Sequence, residues 1–457
     1  MPAGHNGQGL PDHIRDLVSR HGIEFVRVEQ PDLHGVARSK LVTIEHLAGL
    51  AGSGLNFPLP PLALDLQCEA VDGTGYLAER GFPDTRLRPD FDTFAPLSWL
   101  PATGRVIADP SHASDLAPVA GAARQVARTQ VDRLAREGYR LLGGFEYEFY
   151  LLDDAAGISS EARVRQFASF DPADHHLVQE ISRALQLLGI EVTTANLEYG
   201  PGQVEINFAP AQGLAAANDA YSFRNAVREI AAKHGRIASF MTKPALERSA
   251  NGCHFNQSLW RDGRNAFADA TDAYGLSSIA RHFLAGQLSH AAALSALYAP
   301  TINCAKRFRV NSFAPVTADW AIDNRMVAIR VKGAGTSEAH LENRLPTGAS
   351  NPYLVLAGSI AAGLDGIRRR LEPPAPKLAG VEPGSAEPLP QRLETSLTAL
   401  ERSDVLREAL GAEFIQLFLA VKRHEIAKAK RALADYDTPA FLERVDPWER
   451  SEILTVL

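Results

Sequence analysis

Cysteine is scarce in this chain: Cys68, Cys253 and Cys304 are the only three in 457 residues. An odd number of thiols set this far apart excludes a disulfide-stapled scaffold and points to buried free thiols in a reducing compartment, so the expected location is the cytoplasm. No apolar run approaches the span of a bilayer, and the opening MPAGHNGQGLPDHI has no basic stretch followed by an apolar one. Neither a membrane anchor nor a leader is expected. Positive charge is not in excess either. Lys and Arg number 47 against 54 Asp and Glu, a net charge of -7 that argues against nucleic acid or an anionic membrane as a partner. Three common signatures are missing as well: the GxxxxGK[ST] phosphate loop, the GxGxxG dinucleotide fingerprint and the GxSxG nucleophile elbow. No repeat recurs at solenoid or propeller periods.

What remains is the composition of an ordinary globular enzyme, 45% apolar and 22% charged. The length calls for one large core and a smaller second one. Residues up to about Gly9 read as a disordered tail. FVRVEQPDLHGVARSKLV alternates apolar and polar residues about a glycine-containing turn, the pattern of a β-hairpin. Pro and Gly punctuate Ser53 to Pro110 too densely for long helices, whereas short strands such as GRVIADP fit. Beyond Pro118 the period changes: VAGAARQVARTQVDRLAREG repeats apolar residues at helical spacing and stops at Gly138. The boundary is expected near residue 113, giving units 1–113 and 114–457. The second unit alternates strands and helices in an α+β texture: GFEYEFYLL, a helix from about Asp174 to Leu188, GQVEINF, then AANDAYSFRNAVREIAAKHG. Pro373 to Pro390 should be a surface loop. FIQLFLAVKRHEIAKAKRALADY reads as a terminal amphipathic helix.

Four acidic or imidazole-bearing segments could carry chemistry. In GFEYEFYLL, Glu146 and Glu148 are two apart and leave a strand on one face. A lone E-x-E arises often by chance, but the flanking Phe145, Phe149, Tyr150 and Leu151 make this a core strand, where unpaired carboxylates are costly. In ANLEYGPGQVEINF, a Gly-Pro-Gly turn brings Glu198 back toward Glu205. SANGCHFNQSLW sets His254 and Asn256 on one side of a strand, with Gly252 leaving room for a ligand. AHLENRLP alternates His340, Glu342 and Arg344 on one strand face. Such an oxygen-dominated set suits Mg²⁺ or Mn²⁺ more than Zn²⁺. Nearby come Arg307, Arg325, Arg330 and Arg344. Guanidinium groups beside metal-binding carboxylates are what phosphoryl transfer requires.

In order along the chain, GFEYEF, EYGPGQVEINF, NGCHFNQSLW, INCAKRF, NRMVAIRV and HLENRLPTGASNPYL, preceded by PDLHGVARSK, resemble the glutamine synthetases over nearly the whole length. The resemblance implies a small N-terminal β-grasp domain before a large catalytic domain with an antiparallel sheet and flanking helices. It also implies ATP and Mg²⁺ or Mn²⁺ as cofactors and small-molecule substrates. Assembly would be a homo-oligomeric ring, usually a dodecamer, with active sites between subunits. By position, Glu148, Glu198 and Glu205 resemble the ligands of the metal that orders the acid substrate. Glu146, His254 and Glu342 resemble those of the metal on the ATP phosphates. Arg325 and Arg330 match phosphate-binding arginines, and Arg307 and Arg344 those holding substrate carboxylate and acyl phosphate. Ser258 and His340 fall at nucleotide positions, and Asp32 matches an aspartate that a neighbouring subunit turns toward the amine.

Departures from the family pattern cluster around the amine and the head of the acid. Where ammonia-using members read GYEAP this chain reads NSFAP, with Phe313 replacing a glutamate. Ser249 and Ala250 replace an Asn-Gly pair, His340 an arginine, and Asn256 a frequent second histidine. No tyrosine occurs in AEPLP, where some bacterial relatives are adenylylated. With the metal and phosphate positions intact, the pattern resembles the γ-glutamylamide synthetases, which join glutamate to an organic amine. Two other readings stay open: an ammonia-dependent glutamine synthetase, and a catalytically silent scaffold on this fold.

Overall fold

A computed structural model of the protein describes residues 9–154, 166–310, 312–378 and 386–457. The expected tail before Gly9, part of the proline-rich loop and Asn311 of NSFAP lie outside the described residues.

The N-terminal sheet comprises β1 (Phe25–Pro31), β2 (Ala37–Thr43), β3 (Leu55–Pro58), β4 (Asp84–Pro89), β5 (Ala95–Pro96) and β6 (Thr103–His112). Its order is β2-β1-β6-β4-β3, with β5 alongside β6. The expected hairpin is β1–β2, antiparallel from Phe25 opposite Thr43 to Pro31 opposite Ala37. Gly35, at φ +74°, supplies the left-handed residue of its turn. Helices α1 (Asp12–His21) and α2 (Ile44–Ser53) bring Ile14, Val18 and Leu47 against Val26, Val28, Leu87 and Val106 to make a small core.

The second sheet has ten strands: β7 (Arg140–Leu152), β8 (Val192–Leu197), β9 (Gln203–Phe208), β10 (Ala211–Gln212), β11 (Ile237–Ser239), β12 (Cys253–Arg261), β13 (Arg264–Asn265), β14 (Trp320–Ile322), β15 (Ile329–Lys332) and β16 (His340–Asn343). The main path runs β14-β15-β16-β12-β7-β9-β8, antiparallel throughout except between β14 and β15. Flanking it are α3 (Ala123–Arg136), α4 (Pro172–Leu187), α5 (Leu214–Lys233), α6 (Ser278–Ser289), α7 (Ala291–Tyr298), α8 (Pro352–Arg369), α9 (Leu393–Arg402), α10 (Asp404–Leu410), α11 (Ala412–Ala432) and α12 (Pro447–Ile453). The fold is α+β, as its segments predict. Helix α4 starts two residues earlier than the apolar pattern suggests, because Asp171 caps it, accepting a hydrogen bond from the Asp174 amide at 3.0 Å. Helix α11 is not terminal: Asp446 and Glu449 form a capping box that opens α12 after it. Among the described residues no helix is long and apolar enough to cross a membrane.

Strand β7 shows how the site is positioned. Phe145, Tyr147 and Phe149 are buried, with Phe145 stacked 4.5 Å from Phe255 of β12, Tyr147 5.5 Å from Phe223 of α5, and Phe149 5.2 Å from Phe240. Because successive side chains point to opposite sides of a strand, this packing turns Glu146 and Glu148 onto the other face.

Candidate active site

Four strands deliver the acidic face. Across β7 and β12, His254 lies opposite Glu146; across β7 and β9, Glu205 lies opposite Glu148. Across β12 and β16, Glu342 faces Asn256, and Arg330 on β15 faces Glu342 in turn. Ligand atoms of Glu146, His254 and Glu342 all lie within 4.8 Å of one another. Three segments distant in the sequence therefore meet at one point.

Glu148 and Gly252 are joined reciprocally: the Glu148 amide donates to the Gly252 carbonyl at 3.1 Å, and the Gly252 amide donates to Glu148 Oε2 at 2.7 Å. His254 Nε2 lies 3.6 Å from Glu148 Oε1. Burial pushes the Glu148 carboxyl up, but His254, the Gly252 amide and Arg307 outweigh it and hold the group below the usual range. Gly252 must be glycine for room. A Cβ there would stand 2.8 Å from His254 Cε1 and 3.2 Å from Arg307 Nη2. Glu205 is driven upward by burial and by the charges of Glu146, Glu148 and Glu198, and Glu198 is raised by burial and by Glu148. Around Glu205 and Glu198 the face is short of positive charge.

The other half carries it. Burial opposes ionisation of Glu342, yet His254, Arg344, Lys332 and Arg330 bring its carboxyl down to about 2. Arg344 Nη1 lies 2.5 Å from Glu342 Oε1, and Arg330 Nη1 3.2 Å from Oε2. Arg330 also pairs with Asp323. Arg307 is buried and donates to the carbonyls of Arg344 and Leu345 at 3.0 and 3.1 Å. Arg325 is exposed; its charge partly opposes the rise at Glu198 and adds to that of Arg330 in lowering Asp323. Through Nη2, Arg344 donates to the Phe313 carbonyl at 3.3 Å, so the Phe313 loop is tied to the residue that holds Glu342. Phe313 has φ +55°, and its side chain is more than half exposed.

Beside Glu146 opens a cavity of 610 Å³, within the range of small-ligand sites, with Phe208 and Trp260 on its apolar side and Asn256, Ser258, Lys332 and His340 on its polar side. Trp260 Nε1 donates to Ser258 Oγ at 3.0 Å. Burial depresses the His340 imidazole, whose Nδ1 lies 2.7 Å from the Glu338 carbonyl.

The donor set fits a divalent cation. Its members are carboxylates and one imidazole, their mutual repulsion raises Glu205, and His254 Nδ1 is buried without a hydrogen-bond partner. Glu146, His254 and Glu342 would hold one ion; Glu148 and Glu205, with Glu198 nearby, form the matching acidic half.

Asp32 is not part of this face. It is buried within its own turn, where Oδ1 accepts from the amides of His34 (2.8 Å) and Val36 (2.9 Å) and Oδ2 from Arg38 (2.8 Å). Two participants escape the sequence reading. Gln203 is buried with Nε2 3.3 Å from Glu148 and 2.9 Å from Asn251, and Lys332 lines the cavity. Each stands two residues from a named position on the same strand, Glu205 and Arg330, and that spacing was the available signal.

Residues 120–440 match the family described as glutamine synthetase, catalytic domain. A glutamate–isopropylamine ligase of Pseudomonas sp is 33% identical over 453 residues, covering 94% of this chain and 97% of its own. A gamma-glutamylethanolamide synthetase of Streptomyces coelicolor is 34% identical over 454 residues, covering 95% and 96%. Among solved structures, one described as a GmaS/ADP complex shares 30% identity, covers 95% of this chain and 98% of its own, and superposes with a TM-score of 0.79. Matches of this length, on a face where the motif residues converge, establish that the chain belongs to the glutamine synthetase family and is one of its ligases.

Proposed function

We propose that this ligase activates the γ-carboxylate of glutamate, or of a related acid, with ATP and captures the activated acyl group with an organic amine. The observation that carries the reading is the single sheet face on which Glu146, His254 and Glu342 converge within 4.8 Å, with Arg330 and Arg344 on Glu342 and a 610 Å³ cavity alongside. Mg²⁺ or Mn²⁺ bound there would neutralise phosphate charge and align the reacting groups. Arg330 and Arg344 spread the charge of the transferred phosphoryl group, and the Trp260 and Ser258 wall receives the nucleoside. A carboxylate oxygen of the acid attacks the γ-phosphorus and ADP departs. The amine nitrogen then attacks the acyl carbon, phosphate leaves and the amine loses a proton.

Phe313 supports an organic amine. Its loop is held by Arg344, and an aromatic ring offers ammonium neither a charge partner nor a proton acceptor, whereas a carbon skeleton gains apolar contact of roughly 25 cal/mol per Å². The names of both relatives, one for isopropylamine and one for ethanolamide, support the same class. Assembly as a ring of like subunits and a cytoplasmic location belong to this reading, as does a division into domains near residue 113. The edge position of β2 supports the first, and the free thiols of Cys253 and Cys304, buried as expected whereas Cys68 is exposed, support the second.

The test is ATP-dependent phosphate release across a panel of amino acids and amines. Glutamate with an alkyl or aryl amine is expected to give a higher kcat/KM than with ammonia, and Phe313→Glu should move that ratio toward ammonia by about tenfold. A wild-type preference for ammonia over every amine would replace this reading with ordinary glutamine synthesis. Failure to turn over ATP with any pair would favour a silent scaffold.

A further inference from the structure

Lys332 differs from the engaged basic groups of the site. Arg330 and Arg344 are bound to Glu342, and Arg307 is committed to backbone carbonyls. No carboxylate among the described residues pairs with Lys332, whose hydrogen-bond contact is a long 3.5 Å one from Nζ to Asn256 Oδ1. It is also the one permanent cation among the described residues lining the 610 Å³ cavity, whose other charged walls are Glu146 and Glu338. Its charge acts on Glu342 only at a distance, so the ammonium is free to meet an anionic group of a ligand in the cavity.

The sheet register says which part of a ligand it would meet. On β15, Arg330 lies opposite Glu342 and Lys332 opposite His340. Strand β16 runs antiparallel to both β15 and β12, and Glu342 faces Asn256 on β12. The step from Arg330 to Lys332 is therefore the step from Asn256 toward Ser258, away from His254 and Glu146 and toward Trp260. Asn256 Nδ2 in turn lies 3.5 Å from Glu146 Oε2, so Lys332 follows the metal-binding cluster along the same line.

We propose, on the basis of the ATP reading above, that Lys332 is a positioning residue for the nucleotide polyphosphate. It would engage non-bridging oxygens between the nucleoside and the transferred phosphoryl group, while Arg330 and Arg344 serve the transferred group itself. A lysine suits this place because it meets phosphate as a mobile point charge and needs no fixed bidentate geometry.

Calorimetric titration of ADP and of adenosine into the full-length protein with Mg²⁺ present tests it. Lys332→Met should weaken ADP by about tenfold or more, leave adenosine within about twofold, and raise the KM for ATP more than it lowers kcat. Lys332→Arg should recover most of the ADP affinity, which a merely structural lysine would not predict. Equal ADP affinity in wild type and Lys332→Met, or an equal loss for adenosine and ADP, overturns the assignment while leaving the ATP reading in place. A wild-type protein without affinity for ATP or ADP overturns both.

Discussion

The residue that most tightly constrains the site bears no functional group. Gly252 presents its amide to Glu148 and leaves space for His254 and Arg307 where any side chain would press on both. Gly252→Ala should lower kcat by about 100-fold through misplacement of the imidazole, and Tm by no more than about 5 °C, since one methyl adds little strain to a large domain. Enzyme assay beside thermal denaturation checks it; near-normal turnover would mean that His254 relocates without penalty. The sequence marks Gly252 as a place for close approach, but not that the approach is to His254 and Arg307. Phe313 is the opposite case: its aromatic nature is legible, while its tie to Glu342 through Arg344 exists only once two loops meet.

Among elements, the PDLHG turn carries more structure than its motif suggests. Asn351, the N-cap of α8, donates to the carbonyls of Asp32 and Leu33 at 3.0 and 3.1 Å, and Arg224 of α5 donates to that of His34. His34 Nε2 lies 2.7 Å from Glu425 Oε1 on α11. The turn thereby pins the first sheet to α5, α8 and α11. Burial raises the Glu425 carboxyl, but Lys422 and His34 overcome it and hold it at about 2, against an ordinary value of 4.5. A carboxyl depressed in the folded state stabilises that state above its unfolded pKa and ceases to do so as pH falls through its folded pKa. Stability should therefore decline from about pH 4.5 toward pH 2, with Glu342 contributing in the same window. Glu425→Gln should lower Tm at neutral pH and flatten the acid slope; an unchanged slope would remove the pair from this role. The hairpin β1–β2 was readable from alternation, whereas the docking of its turn was not, because the partners on α5, α8 and α11 lie in remote parts of the chain.

For the whole molecule, the oligomer proposed above has a candidate interface at one sheet edge. β2 is the edge of its sheet, and Leu41 on it is an exposed large apolar residue. Unpaired strand edges with apolar side chains are sites of association unless charge protects them, and the two charges on β2 are engaged within the chain, Arg38 by Asp32 and Lys40 by the Asn56 carbonyl. In the oligomer proposed above, Leu41→Lys should reduce the mass measured by light scattering without lowering the helix content measured by circular dichroism; an unchanged mass would move the interface elsewhere. Some properties of this protein follow from the sequence alone. Alternation assigns Glu146, Glu148, Glu205, His254 and Glu342 each to one face of its strand, since the pleat has a period of two whatever surrounds it. Helical periods place α3, α5 and α11, and the order of motifs indicates the family. Tertiary structure decided the rest: that Glu146 meets His254, that Glu342 joins them, and that Asp32 accepts hydrogen bonds from His34, Val36 and Arg38 in its own turn. Those outcomes depend on the register of β7, β12 and β16, fixed by contacts such as Phe145 on Phe255, and a local pattern cannot encode which distant strand supplies the neighbouring side chain.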